Sequence, residues 1–181
     1  MTRKSNDDPS LPYLLTVSGS PHPETKTSRL LRACGNLTTL PSVASVSVAT
    51  LPPFQPAPAG TSTPDPVVRW RAQWTDAAAV IIATPAYLDN IPGVLKNALD
   101  WLASSGEANG KPVLPITFPP HAPRGEHAME SLLWSLLALG ANVVAQLPLY
   151  QQATEFTDSG DIADGETKEL LAAALGLLHV T

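Results

Sequence analysis

The chain has 181 residues, a length that fits one domain and allows a substantial buried core. Hydrophobic residues make up 44% of it and charged residues 15%, a balance typical of a soluble globular protein. The net charge of −5 and the lack of any Lys/Arg cluster argue against nucleic acid as a partner. No apolar run approaches the roughly 20 residues that span a bilayer, so we expect no membrane contact.

The sequence contains few residues that could form a disulfide or bind a metal through sulfur or imidazole nitrogen, namely one cysteine and four histidines. The single cysteine, Cys34, excludes an intrachain disulfide and fits a reducing cytoplasm, and its helical context favours a small buried hydrophobe. The histidines show no metal-ligand spacing; they are His22, His121, His127 and His179. We expect no metal, a disordered tail over residues 1–10 and one domain over residues 11–181.

Five apolar runs alternate with helical patterns, which predicts an α/β fold with a parallel sheet covered by helices on both faces. The predicted strands are 13–17, 44–48, 78–83, 113–117 and 142–147. The predicted helices are 27–37, a short one containing Trp70 and Trp74, one from Pro92 to 104, 125–139, and a last one from 164. Residues 50–66 are predicted as loop because six prolines interrupt them. In the last helix the predicted buried residues are Leu170, Leu171, Ala174, Leu175 and Leu178.

The segment 83–101 reads A-T-P-A-Y-L-D-N-I-P-G-V-L-K-N-A-L-D-W. An apolar run ends at Thr84-Pro85, and a short loop then enters a periodic helix through Pro92-Gly93, where proline suits the first turn. This is strand, loop and helix in order. Open α/β sheets bind ligands at such carboxyl ends of strands, so we expect a ligand site here.

This segment resembles the second flavin loop of the NADPH-dependent FMN reductase family, whose usual form is P-x-Y-N-x-x-x-P-G-x-L-K-N-A-x-D-W. The matching residues are Pro85, Tyr87, Pro92, Gly93, Leu95, Lys96, Asn97, Ala98, Asp100 and Trp101. Leu88 stands where the family usually has Asn. The resemblance implies a flavodoxin-like three-layer α/β/α fold with a five-stranded parallel sheet of order 2-1-3-4-5. It also implies that Pro85, Ala86, Tyr87, Leu88 and Asn90 bind the flavin.

A second run, S-G-S-P-H-P-E-T-K-T-S-R, follows the first strand. Hydroxyls and backbone N–H groups at a helix start suit a phosphate, and Ser20, Thr25 and Thr27 are the candidates. A capped helix, with Thr25 or Thr27 as N-cap, explains the same residues. In the family this loop often reads G-S-P-R, so His22 replaces an arginine. With the nearby carboxylate of Glu24, this predicts weaker FMN binding than is typical.

After the fourth strand the family has a glycine-rich loop whose backbone N–H groups meet the flavin ring. Here the loop reads T-F-P-P-H-A-P-R-G over 117–125, and Pro119 and Pro120 have no N–H to donate. Two interpretations follow. Either the loop is rebuilt, with Thr117 and with Phe118 or His121 beside the ring, or the flavin site is degraded. A solvated loop histidine remains the simpler reading of His121.

The resemblance implies an FMN-dependent NAD(P)H oxidoreductase in which the flavin carries the chemistry and no side chain is catalytic. NAD(P)H would be a transient cosubstrate, and the acceptor a small molecule such as free flavin, a quinone, an azo compound or a metal oxyanion. The alternative is a flavodoxin-like module that acts through binding. A flavodoxin-type carrier is disfavoured because such carriers are usually more acidic. The apolar helix around Trp134, with Trp101, predicts a homodimer or a dimer of dimers, unless both side chains pack within a monomer.

Overall fold

A computed structural model describes residues 12–56 and 62–178. The strands are β1 Leu14–Ser18, β2 Ser42–Ala44, β3 Ala79–Thr84, β4 Pro112–Thr117, β5 Asn142–Val143 and β6 Leu147–Pro148. The helices are α1 Lys26–Asn36, α2 Asp65–Asp76, α3 Gly93–Asp100, α4 Glu126–Ala138 and α5 Glu166–Gly176. The strand order is β2-β1-β3-β4-β5, with β6 also paired to β4, and all pairings are parallel. The predicted flavodoxin-like α/β fold is confirmed.

Three long apolar strands form the centre of the sheet. β1, β3 and β4 are buried almost throughout, as expected of parallel strands covered on both faces. One face packs on α2, α3 and α4 through residues such as Leu15, Val80 and Leu95. The other packs on α1 and α5 through residues such as Leu30 and Leu171. The predicted bounds of these strands hold to within a residue.

The fifth strand was predicted as one run over 142–147, which is wrong, because it is split into β5 and β6. On this side of β4 the backbone of Val113 accepts from Val144 and that of Thr117 accepts from Leu149. Pro115 lies midway between these two acceptors, in the same alternating row, and has no N–H to donate. The missing donor explains why the pairing stops after Val143 and resumes at Leu147.

The second strand was also misplaced, since it covers Ser42–Ala44 and not 44–48. Val48 is buried, but in a short 3₁₀ turn, Val48–Thr50, whose N-cap is Ser47. The alternation of valines over 44–48 had predicted a strand by its period of two. In the structure it instead places Val48 in the hydrophobic core beside α3.

Two helix predictions need correction. α3 ends at Asp100, and the chain continues to Ser105 in turns with i→i+3 bonds, such as Leu102 N–H to Leu99 O. α5 begins at Glu166, two residues later than predicted, and Leu170 is exposed while Leu171 is buried. α2 begins within the predicted loop, because a proline in the first turn of a helix loses no intrahelical bond.

In the described part of the chain, no helix is both long enough and apolar enough to cross a membrane. The predicted tail over 1–10 lies outside the described residues, as does His179. The cytoplasmic location stays a prediction.

Two buried tryptophans on α2 differ in one hydrogen bond. Trp70 and Trp74 are both 0% exposed and their rings meet edge to face at 5.6 Å. Trp70 Nε1 donates to Ala98 O at 2.9 Å, whereas nothing among the described residues accepts from Trp74 Nε1.

We therefore predict that Trp70→Phe destabilises the fold more than Trp74→Phe, by about 1–2 kcal/mol, because only the first leaves a buried carbonyl without its donor. Urea unfolding of both variants measures the difference, and each serves as the other's control for lost ring area. Equal losses, or a larger loss for Trp74→Phe, would contradict this assignment.

Candidate functional site

Three loops meet at the carboxyl edge of the sheet because β1, β3 and β4 end in register. Ser18 pairs with Ala83, and Thr84 pairs with Thr117. The ladder continues beyond the strands, since Gly19 N–H donates to Ala83 O and Phe118 N–H donates to Thr84 O, both at 2.8 Å. We name the segments that follow β1, β3 and β4 the first loop (19–25), second loop (85–92) and third loop (118–125).

The first loop starts with a close approach. A Cβ on Gly19 would lie 2.7 Å from Thr84 Oγ1 and 2.8 Å from Leu95 Cδ2, so only glycine fits. The loop ends at Thr25, the N-cap of α1, whose Oγ1 accepts from Ser28 N–H at 3.2 Å. The capped-helix interpretation is confirmed for Thr25, and phosphate binding at this helix N-terminus stays a prediction.

The second loop makes a tight tip. Tyr87 and Asn90 exchange two backbone hydrogen bonds of 2.9 and 3.0 Å, and the residues between them have positive φ, 50° at Leu88 and 56° at Asp89. Asn90 Oδ1 turns back to accept from Ile91 N–H at 2.7 Å. The side chain of Leu88 is fully exposed.

The third loop uses its carbonyls where a glycine-rich loop would use its N–H groups. Pro119 O accepts from Gln151 N–H at 3.0 Å and Pro120 O accepts from Gln152 N–H at 3.1 Å. Phe118 O accepts from the side chain of Gln151 at 2.9 Å. This tethering holds the loop to the segment after β6, and the choice between a rebuilt loop and a degraded flavin site stays open.

A cleft of about 270 Å³ lies between the three loops, and we call it the carboxyl-end cleft. It is lined by Ser20, Thr25, Lys26, Thr27, Pro85, Ala86, Tyr87, Pro120, Arg124 and Gln151. The structure thus brings together the predicted hydroxyls of the first loop and the predicted start of the second loop. Two cations, Lys26 and Arg124, lie among them, which makes the cleft suited to an anion.

Other predicted site residues do not line this cleft. His22 lines a neighbouring cleft of about 300 Å³ beside β2, together with Glu24 and Arg32, and Ser20 lines both clefts. Glu24 Oε2 is 3.3 Å from Arg32 Nη2, so the carboxylate pairs with an arginine outside the carboxyl-end cleft. Leu88 and Asn90 lie at the tip, outside the lining. Thr117 and Phe118 are buried, and Phe118 packs in the core on the α1 and α5 side.

Sequence reasoning missed four lining residues, Lys26, Pro120, Arg124 and Gln151. Lys26 stands within the predicted hydroxyl run, between Thr25 and Thr27, so its position in the first helical turn carried a usable signal. Pro120 and Arg124 belong to the third loop, whose sequence departs from the glycine-rich pattern of the family. Gln151 comes from the segment after β6, and no local pattern connects that segment with the other loops.

Part of the recognised motif serves the scaffold. Asn97 Oδ1 accepts from Phe54 N–H at 2.7 Å, and Asn97 Nδ2 donates to Pro52 O at 3.0 Å. Trp101 Nε1 also donates to Pro52 O, at 2.8 Å, and its ring meets Phe54 edge to face at 5.1 Å. These contacts bind the proline-rich segment after β2 to α3. Trp101 is therefore buried within the monomer, as the simpler interpretation had it.

The titratable groups near the cleft lie at its rim. A hydrogen bond from His127, and then one from Gly125 N–H, lower the pKa of Asp89, and the bond to Asp89 raises the pKa of His127.

Burial raises the pKa of Cys34 to about 12, so this thiol is inert. Among the residues with described positions, no group of His, Cys, Asp and Glu could hold a metal ion.

The doubly wound parallel sheet, with a cleft where its loops meet, defines a flavodoxin-like α/β scaffold. Residues 12–155 match the family model for NADPH-dependent FMN reductase. The chain belongs to this family. It is therefore an NAD(P)H-dependent oxidoreductase of the FMN reductase type, with FMN as cofactor and NAD(P)H as cosubstrate.

Solved structures show the same fold at low sequence identity. The flavoenzyme NAD(P)H:(acceptor) oxidoreductase FerB from Paracoccus denitrificans has a TM-score of 0.78 at 21% identity, over 93% of this chain and 96% of that one. An apo NADH:FMN oxidoreductase, EMOB, has a TM-score of 0.72 at 20% identity, over 93% and 88%. An azoreductase from Bacillus anthracis str. Sterne has a TM-score of 0.61 at 15% identity, over 93% and 97%. A comparison with curated protein sequences found no match.

The scaffold role of Asn97 can be tested. We predict that Asn97→Ala lowers the free energy of unfolding by about 1–3 kcal/mol, because it leaves Phe54 N–H without its acceptor and removes one of the two donors to Pro52 O. Chemical unfolding measures the loss, and Asn142→Ala, at an exposed position at the start of β5, is the matched control. Unchanged stability in Asn97→Ala would show that these contacts do not hold the segment.

Proposed function

We propose that this chain binds FMN in the carboxyl-end cleft and passes electrons from NAD(P)H to a small acceptor. The observation that carries the proposal is the composition of the cleft, which is lined by hydroxyls at the N-terminus of α1, by the cations Lys26 and Arg124, and by the aromatic ring of Tyr87. The phosphate, the isoalloxazine ring and the ribityl chain of FMN would each contact lining residues of suitable chemistry.

The phosphate would lie at the start of α1. Ser20 and Thr27 are 4% and 2% exposed, so their hydroxyls are fixed by packing and not by solvent. With Thr25 and the free N–H groups of the first turn, they supply donors for an anion. Lys26 and Arg124 would supply the positive charge that His22, in the other cleft, does not. The weaker FMN binding predicted from His22 and Glu24 stays a prediction.

The ring would lie against the second loop. Tyr87 is 49% exposed and lines the cleft beside Pro85 and Ala86, so its face is free to pack on an aromatic system. Bound there, FMN supplies the hydride-accepting chemistry. The protein's part is to hold and orient, since the carboxyl-end cleft is lined by no His, Asp, Glu or Cys.

The acceptor would be small and at least partly apolar. The exposed side chains of Tyr87 and Leu88 stand at the rim of the cleft and offer apolar surface outside it. They favour a flat aromatic acceptor, such as a quinone, an azo compound or free flavin, over a hydrated metal oxyanion.

A binding module with a degraded flavin site remains the second candidate function. One observation favours it: Pro119 and Pro120 lack the backbone donors of a glycine-rich third loop, and their carbonyls are engaged by Gln151 and Gln152. Such a module would bind FMN weakly or not at all.

Binding of FMN and of riboflavin by the purified protein tests the proposal, because riboflavin lacks the phosphate. We predict that Lys26→Gln and Arg124→Gln each weaken FMN binding about tenfold, a loss typical of one charged hydrogen bond, and leave riboflavin binding unchanged. Fluorescence titration measures both affinities, and Lys168→Gln on α5 is the control.

Equal losses for both ligands would contradict the placement of the phosphate. Failure of the unmodified protein to bind FMN would favour the binding module.

We also propose that the chain forms a homodimer through α3 and α4. Trp134 is 71% and Leu137 is 75% exposed on α4, a large apolar surface for a monomer. A groove of about 320 Å³ lies beside Trp134, between the two helices, and Leu99 and Leu139 line it. The groove and the exposed tryptophan on one surface suit a second copy related by two-fold symmetry.

We predict that Trp134→Glu gives a monomer, because a charge at the centre of an apolar interface is costly to bury. Light scattering over a concentration series measures the change. Leu170→Glu, at an exposed leucine on α5, is the matched control and should leave a dimer intact. A monomeric unmodified protein, or a dimeric Trp134→Glu variant, would contradict this interface.

A further inference from the structure

One carboxylate joins the second loop to the helix that follows the third. Asp89 Oδ1 accepts from Gly125 N–H at 2.7 Å, and Asp89 Oδ2 lies 2.6 Å from His127 Nδ1. Gly125 is the N-cap of α4, and His127 lies in its first turn. The side chain of Asp89 therefore caps this helix from another loop and pairs with an imidazole there. Neither contact is local, since Asp89 and His127 are 38 positions apart.

The backbone that carries Asp89 is unfavourable by itself. Leu88 and Asp89 both have positive φ, a conformation that asparagine and glycine adopt far more readily than leucine. The two Tyr87–Asn90 hydrogen bonds close the tip but do not anchor it to the rest of the molecule. Among the described residues, the bonds of the Asp89 carboxylate supply that anchor, and they would offset the cost of the conformation.

The two ends of this connection reach the carboxyl-end cleft. Tyr87, beside the tip, lines one wall, and Arg124, next to Gly125, lines another. Holding Asp89 to Gly125 and His127 therefore sets the distance between the walls. We propose that Asp89 is a positioning residue that latches the second loop to α4 most firmly when His127 is protonated, so that flavin affinity falls as pH rises. This rests on the proposed binding of FMN.

The charges around the latch give the direction of the pH effect. The bond to Asp89, its charge, and the carboxylates of Glu130 and Glu126 raise the pKa of His127. His127, Gly125 N–H and the charge of Arg124 lower the pKa of Asp89. Both partners are charged between the lowered pKa of Asp89 and the raised pKa of His127. The ion pair is lost as pH rises through the pKa of His127, and again as pH falls through that of Asp89.

Asp89→Asn and His127→Gln test the latch. FMN affinity of the unmodified protein should weaken about threefold between about pH 6 and pH 9, the scale of an exposed ion pair. Both variants should bind FMN about threefold more weakly at the lower pH and show no further loss at the higher one. Asp164→Asn, which removes an exposed carboxylate on the segment before α5, should follow the unmodified protein. Riboflavin, which lacks the phosphate, should show the same loss in the unmodified protein, and this separates the latch from titration of FMN itself.

Two further readouts use the flavin-free protein. NMR titration should show a raised pKa for His127 that returns toward its ordinary value in Asp89→Asn. Amide exchange at Asn90 and Gly125 should be faster in the same variant, because the neutral amide of asparagine accepts more weakly than the carboxylate and anchors the tip less firmly. These results decide the latch even if FMN proves not to bind, which would be a failure of the proposed function alone. Unchanged exchange, an ordinary pKa for His127, or an unmodified pH profile in Asp89→Asn would overturn the proposal.

Discussion

The parallel register of β1, β3 and β4 is the constraint on which the site depends. Because Ser18 pairs with Ala83 and Thr84 pairs with Thr117, the three strands end at one level and release their loops side by side. Hydrogen bonds from Gly19 and Phe118 carry the ladder one step further. The hydroxyls of the first loop thereby line the same cleft as the tyrosine of the second, although about 60 residues separate them in the chain. Each later feature of the cleft follows from this alignment.

The motif that identifies the family divides its work between site and scaffold. Pro85 and Tyr87 line the carboxyl-end cleft, whereas Asn97 and Trp101 face away from it and hold the proline-rich segment after β2. Good agreement with the motif therefore establishes the fold more directly than it establishes flavin binding. The evidence for a ligand comes from elsewhere, from the first loop and from two cations that the motif does not contain.

Much of the architecture could be predicted from local patterns, and the failures share a cause. Apolar runs located β1, β3 and β4, and the hydroxyl run after β1 located the N-terminus of α1. Pro115, which lies on the neighbouring strand β4, interrupts the fifth strand. The residues 142–147 themselves contain no signal of that interruption. Tertiary contacts also decide which cleft His22 lines and that Asp89 pairs with His127, so neither could be predicted from local sequence. Local sequence gave the elements, and contacts between elements decided which side chains share the cleft.

The most direct test of this account is the anaerobic addition of NADPH to the purified protein loaded with FMN. The account predicts that the visible absorbance of the flavin bleaches in proportion to the NADPH added and returns when a quinone or an azo compound is supplied. Protein that binds FMN but leaves it oxidised with NADPH and also, in a separate addition, with NADH would contradict the assignment as a reductase.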